Sequence, residues 1–508
     1  MSPSRVRSLR APWAGIVALS GGLLGGDFAA QLVGNWNSPV TSIGNRIINH
    51  VPSGVKSWVI TVFGGNDKKF LIVVITAAVL VIGMYIGKMF INGGVTTSYA
   101  IIGALAVIGS IASVFDEQAN FFSILPSLIS AGVSVALLKW LGRESSVKTE
   151  GSVEISRRDV FKVSSVVASM AVVSTITGRY LKERTKIQLD RISVSLPKPA
   201  KSLKATDLID PADSVPGLSK LYTPNAEFFR IDTAIQVPHI LTSEWSLKID
   251  GLVENPFEIS YDQLISRPTF ELDNTISCVS NEVGGPLVGN ARWLGVRLDD
   301  LIAEARPLAR ADQIMSYSKD GFSAGFPTAV LDGRDAMIAI AMNGEALPLE
   351  HGFPARIIVP GLYGYVSATK WLTHIELTRF DKKQGYWVPR GWAALAPIKM
   401  QSRIDTPTDF SDLSPGKMAI AGVAWAPLEG IEKVEVRIDK GVWVSAVLGP
   451  EIANTTWRQW WIDWDAPVGK HEISVRAVNK KGVTQTSVPA SVDPDGAQGW
   501  HTINVESA

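Results

Sequence analysis

The stretch at residues 342–377, MNGEALPLEHGFPARIIVPGLYGYVSATKWLTHIEL, alternates short apolar runs with glycine and proline turns. Its RIIVPG segment is typical of a β-strand that ends in a turn. A run of the same kind, WSLKIDGLV at 245–253, precedes it, and two helix-like segments, at 260–267 and 295–305, lie between them. The pattern predicts an α+β domain over residues 225–405.

The composition of the chain narrows its class. The 508 residues carry a net charge of +1, which gives no electrostatic reason to expect nucleic acid as a partner. Hydrophobic residues make up 46% and the mean hydropathy is +0.16, which is high for a soluble protein. A single cysteine excludes an internal disulfide framework and a Cys-cluster zinc site, and the six histidines show no HxxxH spacing.

That single cysteine, Cys278, lies in NTISCVSNEVGGPLVGNARW at 274–293. A free cysteine is commonly a small apolar filler of a protein core. A thiolate also serves as a nucleophile or as a metal ligand. The residues around Cys278 leave these three roles open.

The first 181 residues predict a transmembrane region of five helices. Runs at 70–90, 98–115 and 121–141 are long and apolar enough to cross a hydrocarbon core of ~30 Å. Weaker runs at 11–34, which contains Asp27, and at 160–181 complete the five.

The distribution of positive charge predicts the orientation of these helices. Arg5, Arg7 and Arg10 precede the first run, and five basic residues lie between 139 and 158. The positive-inside rule therefore places the N-terminus and the 142–158 loop in the cytoplasm. Five crossings put everything after the last helix outside, so we expect a multi-pass protein of the cell membrane.

The segment SRRDVFK at 156–162 resembles a twin-arginine export signal. The alternative is that Arg157 and Arg158 only anchor the following helix at the membrane surface. The resemblance implies the export of a folded C-terminal domain, often with a cofactor already inserted.

The rest of the chain divides into three parts. Residues 182–224, rich in Pro, Lys and Asp, predict a linker before the 225–405 domain. Residues 406–508 hold short alternating runs separated by turns, the pattern of an immunoglobulin-like β-sandwich. A crowded set of tryptophans favours a core or an interface, with a carbohydrate-binding face as the alternative. This set comprises Trp443, Trp457, Trp460, Trp461 and Trp464.

Several motifs in order resemble the sulfite oxidase family of molybdopterin enzymes. They are MNGExLP, HGFPxR, VPGxYG and KWL within 342–377, the stretch around Cys278, and IEKVEVRIDKGVW at 431–443. The resemblance covers about residues 215–505, and the architecture resembles membrane-anchored actinobacterial members with a twin-arginine motif before the last helix. It implies a molybdenum–molybdopterin cofactor, with Cys278 as the thiolate ligand of the metal. A soft thiolate suits this metal, and the cofactor itself brings the other sulfurs.

The same resemblance implies further site residues. His351 and Arg356 match the pair that holds the pterin, where a guanidinium fork suits phosphate; the alternative for His351 is a turn residue. Arg230 matches a catalytic position that attracts an oxyanion near the metal, or else it is a surface ion-pair partner. The remaining predicted cofactor contacts are Asn225, Phe229, Ser318, Ser367, Thr369 and Lys370. One extra residue between Gly364 and Lys370 leaves the register of the last three open.

This sequence departs from sulfite oxidases at two places. The family's cysteine is followed by Ala-Gly-Asn-Arg, whereas the run here ends in Glu282. The family's tyrosine near the metal is matched by Phe322 in FSAGFP. The motifs therefore support the fold and the cofactor, whereas these departures leave sulfite as the substrate unsupported. The periplasmic methionine-sulfoxide reductases are another branch of the family.

The combined prediction is a membrane-anchored extracytoplasmic oxidoreductase that transfers an oxygen atom or two electrons at molybdenum. Its substrate would be a small molecule, a sulfur oxyanion or a sulfoxide. We expect no haem or iron–sulfur cluster in this chain, and therefore a separate quinone-linked or haem protein as electron carrier. Membrane lipid is the other expected partner, and the family's dimerisation-type last domain is compatible with a homodimer. The alternatives are a cysteine hydrolase, which would need a histidine base such as His351, and an adhesion or sensor protein without redox activity.

Overall fold

The computed structural model describes residues 3–33, 36–52, 55, 58–59, 62–63, 67–116, 119–143, 185–203, 209–233 and 237–508. The chain forms two units, which comprise residues 1–186 and 187–508. The predicted fifth transmembrane helix and the twin-arginine segment lie outside the described residues.

Five helices form the described part of the first unit: α1 (Pro3–Val33), α2 (Pro39–His50), α3 (Asp67–Ile91), α4 (Val95–Val114) and α5 (Leu125–Arg143). Four helical segments of the described residues are long and apolar enough to cross a membrane: Pro12–Ala30, Phe70–Ile91, Val95–Val114 and Phe121–Leu141. Helix α2 lies between the first two predicted spans, where no helix was predicted from the sequence. Ser38 caps it by accepting a hydrogen bond from the N–H of Thr41, and Pro39 begins it.

Glycines let these helices approach closely. A Cβ on Gly15 of α1 would lie 1.8 Å from the carbonyl oxygen of Gly83 in α3. A Cβ on Gly22 would lie 1.9 Å from Oγ of Ser134 in α5. Small residues at such contacts are typical of helices that pack within a membrane.

Two sheets carry the middle of the chain. The strand order of one is β2-β1-β10-β5-β6, and that of the other is β3-β4-β7-β8, with β9 paired to β7. Their strands are β1 (Ser246–Gly251), β2 (Phe257–Ser260), β3 (Thr269–Ser277), β4 (Val288–Arg297), β5 (Gln313–Ser318), β6 (Ser323–Pro327), β7 (Met337–Met342), β8 (Glu345–Ala346), β9 (Arg356–Ile358) and β10 (Leu372–Thr378). Three helices belong to this region: α6 (Tyr261–Ile265), α7 (Leu298–Ala305) and α8 (Gly364–Ser367). The first residues of the predicted helix at 295–305 belong to β4, and the helix itself is limited to Leu298–Ala305.

A common core joins these sheets. Leu247 of β1, Ile338 of β7 and Ile375 of β10 are fully buried in one hydrophobic cluster with Leu298 and Leu301 of α7. Ile314 of β5 belongs to this cluster, whereas Ile276, near the end of β3, belongs to a second buried cluster. The candidate site is built from the ends of these two strands.

The last part of the chain forms two more sheets, with orders β11-β13-β17-β16 and β12-β19-β18-β14-β15. Their strands are β11 (Gln401–Thr406), β12 (Asp412–Leu413), β13 (Gly416–Trp425), β14 (Ile431–Ile438), β15 (Val444–Ser445), β16 (Val447–Leu448), β17 (Arg458–Ala466), β18 (Gly469–Asn479) and β19 (His501–Ser507). Both sheets contribute to one core, with Ile420 and Trp460 from the first and Val434, Ile473 and Ile503 from the second. Trp457 and Trp464 are also buried, whereas Trp443 and Trp461 are half-buried. The region is β-rich and two-layered, and its immunoglobulin-like topology stays a prediction.

Parts of the predicted 182–224 linker belong to the folded second unit. Ile187 is buried, and the Arg191 guanidinium donates to the carbonyls of Ala346 and Leu347. Leu218 and Leu221 are buried as well. A few buried apolar side chains hold this segment against the rest of the unit, although they follow no helical or strand period.

Candidate functional site

A cleft of about 730 Å³ opens where β3 and β5 end, beside the segment 351–371. Six of the ten predicted site residues line it: Phe229, Cys278, Ser318, His351, Arg356 and Lys370. Residues from positions 229 to 370 of the sequence thus meet in one site.

Cys278 follows the last residue of β3 and is buried. Its N–H donates to the carbonyl of Leu287 (2.9 Å), and its own carbonyl accepts from the N–H of Asn281 (3.1 Å). The Asn281 side chain in turn accepts from the N–H of Leu287 (2.7 Å), so the whole loop is held in place. Burial raises the pKa of the thiol, while hydrogen bonds with Ser280 oppose that shift.

His351 is a buried, neutral histidine. Its Nε2 lies 3.1 Å from the carbonyl oxygen of Asn225, so Nε2 carries the proton and Nδ1 is an acceptor. Burial, together with the positive charges of Lys370 and Arg356, lowers the pKa of His351 to about 3. The ring therefore stays uncharged at neutral pH.

Arg356 is a buried cation at the start of β9. It donates to the carbonyls of His351 (3.1 Å) and Ala368 (3.2 Å), and it lies over the Trp293 ring at 5.2 Å. Its Nε has no hydrogen-bond partner, and no carboxylate of the described residues pairs with it. Burial lowers its pKa to about 9, although the group stays charged at neutral pH. A buried charge without a counter-charge is costly, which marks this position as built for an anion.

Lys370 lies beside Arg356 in the cleft wall and is differently paired. Its Nζ donates to Asp232 (2.8 Å) and to the carbonyl of Glu350 (3.1 Å). Asp232 also accepts from Nε of Arg230 (2.8 Å). The Arg230 side chain does not line the cleft, so the ion pair to Asp232 is the arrangement found for it.

The structure does not bring three other predicted residues to the cleft surface. Asn225 donates to Glu345 (2.5 Å) and supports His351 through its backbone carbonyl. The Ser367 hydroxyl donates to the carbonyls of Leu362 and Tyr363, within its own turn. Thr369 bonds the hydroxyl of Ser316 at 2.7 Å. The side chains of these three residues therefore form hydrogen bonds within the protein, next to residues that line the cleft.

Sequence reasoning missed several residues that line the cleft. Asp320 is one: its carboxylate accepts from the N–H of Phe322 (3.1 Å), and burial raises its pKa. The Asp-Gly pair at 320–321 signalled a turn but not its position at the site. Tyr365 and Trp387 add an aromatic wall that no motif indicated, and Trp371 of the KWL motif extends it.

Comparisons with known proteins agree on the class. A family profile described as oxidoreductase molybdopterin binding domain matches residues 234–387. The uncharacterized oxidoreductase YuiH of Bacillus subtilis is 33% identical over 150 residues, which cover 30% of this chain and 73% of that protein.

Longer relatives share less sequence. Human mitochondrial sulfite oxidase is 26% identical over 336 residues, which cover 56% of this chain. The chain spans 61% of the length of that relative. The sulfane dehydrogenase SoxCD from Paracoccus pantotrophus is 22% identical with a TM-score of 0.49, over 56% of this chain and 81% of that one.

The matched region is thus a molybdopterin-binding oxidoreductase domain. The chain belongs to the sulfite oxidase family of molybdopterin-dependent oxidoreductases. The motif order in 342–377 had predicted this family, and the match confirms it.

Proposed function

We propose that this chain is a membrane-anchored oxidoreductase that transfers an oxygen atom or two electrons at a molybdenum ligated by Cys278. The observation that carries the proposal is the composition of one cleft. It combines a buried thiol, a neutral histidine and a buried guanidinium without a counter-charge.

The residues of the cleft suit a molybdopterin. The guanidinium of Arg356 would hold the phosphate of the cofactor, whose negative charge would compensate the buried cation. His351, with Nδ1 as acceptor, would receive a hydrogen bond from the pterin ring. Lys370 and Ser318 would hold the remaining polar groups.

When bound, the cofactor supplies a metal that changes its oxidation state by two electrons. The protein's own residues orient and insulate that centre. Cys278, fixed by the hydrogen bonds of its loop, would present one soft ligand. Asp320, a carboxyl in the cleft wall whose pKa is raised by burial, would offer an acid–base group there.

The cleft favours an uncharged sulfoxide over a sulfur oxyanion as substrate. Phe229, Phe322, Tyr365 and Trp387 make much of its wall apolar. Arg230 and Lys370 share one carboxylate, that of Asp232. The largely apolar wall is therefore the observation that favours the uncharged substrate.

The remaining proposals concern the setting of the enzyme. We infer that the four described membrane-length helices and a fifth over 160–181 anchor the chain, and that residues 182–508 lie on the extracytoplasmic side. A separate quinone-linked or haem protein would carry the electrons. A homodimer through the last domain stays a proposal.

Analysis of molybdenum and pterin in the purified protein, together with the Cys278→Ser variant, tests this function. The wild type should contain about one molybdenum per chain and reduce dimethyl sulfoxide faster than it oxidises sulfite in a redox-dye assay. The variant should keep its pterin, because Arg356 holds the organic part. It should lose more than about 100-fold in activity, since even outer partners of a metal typically account for 10–100-fold.

Two results would contradict the proposal. Full activity of Cys278→Ser would remove the metal ligand assignment. A wild-type protein without molybdenum would favour the alternatives, namely a hydrolase if it cleaves esters and an adhesion or sensor protein if it is inert.

A further inference from the structure

A second cavity lies inside the helical unit. It encloses about 520 Å³ between α1, α2, α3, α4 and α5. Aliphatic side chains from all five helices form most of its wall, including Leu19, Ile43, Val79, Ile102, Leu105 and Ala131. Such a predominantly aliphatic lining with a few polar groups is typical of sites for apolar small molecules.

One side of the cavity is polar. Ser127, Ser130 and Ser134 of α5 line it. Ser134 satisfies its hydroxyl on the carbonyl of Ser130 (2.8 Å). The Ser127 hydroxyl is different: it is buried, at 2% exposure, and has no hydrogen-bond partner among the described residues.

An unpaired hydroxyl in such a place is unusual. In an apolar environment a hydroxyl without a hydrogen bond costs free energy, so serines in membrane helices normally find a partner. A Cβ on Gly109 would come within 2.6 Å of Ser127 Oγ, so the glycine keeps this position open. The geometry leaves one hydrogen-bonding group at the edge of an aliphatic chamber.

The end of the cavity is held firmly. Helix α2 covers it with Pro39, Val40 and Ile43. The carboxylate of Asp116, after α4, accepts from Ser42 of α2 (2.6 Å) and from Asn45 of α2 (3.2 Å). These charge-assisted bonds fix α2 over the cavity, so the space is part of the packed structure rather than a loose gap.

We propose that this cavity binds a lipid-soluble molecule with a long hydrocarbon chain and a carbonyl group that accepts a hydrogen bond from Ser127. Two sources offer this chemistry, an isoprenoid quinone and the acyl ester of a phospholipid. The site is separate from the molybdopterin cleft, and its occupation does not depend on the enzymatic activity proposed above.

The test uses the full-length chain in phosphatidylcholine nanodiscs that also contain decylubiquinone and a minor fraction of phosphatidylglycerol. After capture and washing, both compounds are extracted and counted per chain against empty nanodiscs. Ala106→Leu places a larger side chain on the cavity wall, and Ala104→Leu, exposed on the same helix, is the matched control. Ser127→Val removes only the hydroxyl at nearly constant volume.

The proposal predicts about one retained molecule per wild-type chain and a similar amount for Ala104→Leu. Retention should fall at least tenfold in Ala106→Leu, and affinity should weaken about fivefold in Ser127→Val, the equivalent of one neutral hydrogen bond. Retained quinone or retained phosphatidylglycerol each supports the site and identifies the source. Retention of neither compound, or equal retention in wild type, Ala106→Leu and Ser127→Val, would overturn it.

Discussion

At the scale of single residues, the site is defined by charge that the protein leaves uncompensated. Arg356 is buried, with an unpaired Nε and a pKa lowered to about 9. The neighbouring Lys370, by contrast, pairs with the carboxylate of Asp232, which it shares with Arg230. The two basic residues of one cleft wall therefore differ: the first has no carboxylate partner among the described residues, and the second has one.

The substitution Arg356→Met should lower bound pterin at least tenfold, because the phosphate would lose its charged partner. The cofactor-free variant should unfold at the same temperature as the cofactor-free wild type or higher, since a buried unpaired charge is removed. Pterin fluorescence after release and thermal unfolding are the two measurements. Arg356→Lys, which keeps the charge but not the fork, should lie between wild type and Arg356→Met in pterin content. Unchanged pterin in both variants would contradict this role.

His351 makes stability depend on pH with a definite sign. Its folded pKa of about 3 lies below the ordinary value near 6.5, so between these values the unfolded chain binds a proton that the folded chain excludes. Wild-type stability should therefore fall as the pH decreases from about 6.5 towards 3, by up to ~1.4 kcal/mol per pH unit from this group.

The variant His351→Gln should lose this part of the pH dependence. His501, buried with a pKa of about 4, gives a slope of the same sign and serves as the internal reference. Denaturant unfolding of cofactor-free protein at pH 5 and pH 7 measures the difference. Equal losses of stability in variant and wild type would show that His351 is charged in the folded state.

At the scale of elements, strand β3 is the support of Cys278. Asp273 of β3 pairs with Arg292 of β4 through two bonds of 2.8 Å, and the Asp273 side chain is 1% exposed. From the other side, the Thr455 hydroxyl donates to the carbonyl of Asp273, and the Trp457 N–H donates to Thr275. The last domain thus braces the strand that carries the thiol.

Arg292→Met should destabilise the protein by about 3–5 kcal/mol, because it leaves the buried carboxylate of Asp273 without its counter-charge and with only the Tyr222 hydroxyl as a side-chain donor. The matched control is Arg267→Met, whose pair with Glu304 is largely exposed and should change stability by less than about 1 kcal/mol. Thermal or denaturant unfolding of the full chain in detergent measures both. A similar small change in the two variants would show that the buried pair is dispensable.

The motifs of 342–377 and the polar residues of β3 differ in how much the sequence alone could predict. The motif order in 342–377 was sufficient for the family, because each motif is tied to a fixed turn of the fold. The polar run Asp273–Asn274–Thr275 gave no such signal, since its burial depends on partners almost 200 residues away. Ser367 and Thr369 stay predicted cofactor contacts, and in the structure their hydroxyls bond the protein itself.

Helix α2 was missed for a different reason. Its capping residue Ser38 and the proline at its first position were visible in the sequence. Only twelve residues long, it is too short to cross a membrane, and its apolar face becomes meaningful only against the cavity that it covers.

At the scale of the whole molecule, topology is the next question. Four crossings return residues 142–158 to the side of the N-terminus, and a fifth would send residues 182–508 across. Reporters fused at residue 150 and after Lys182 should therefore be active on opposite sides of the membrane. Replacing Arg157 and Arg158 by lysine should keep the second reporter inside. Two reporters on the same side would exclude a fifth span, and unchanged export in the lysine variant would reduce the motif to an anchor.

The path of the electrons is the last property of the whole molecule. A two-electron step at molybdenum needs a source or an acceptor for those electrons. One cysteine is too few for an iron–sulfur cluster, which usually has about four protein ligands. No histidine lies in the five predicted spans, so the usual axial ligands of a membrane haem are missing there.

We therefore predict that the isolated full-length chain shows no Soret band or flavin absorbance and oxidises a reduced quinone only when a carrier protein is added. The optical spectrum and a quinol oxidation assay, with and without a membrane extract as the source of carrier, measure both. Rapid oxidation by the isolated chain would make the helical unit part of the electron path. A lipid-soluble ligand in its cavity would then be a redox partner rather than a structural one.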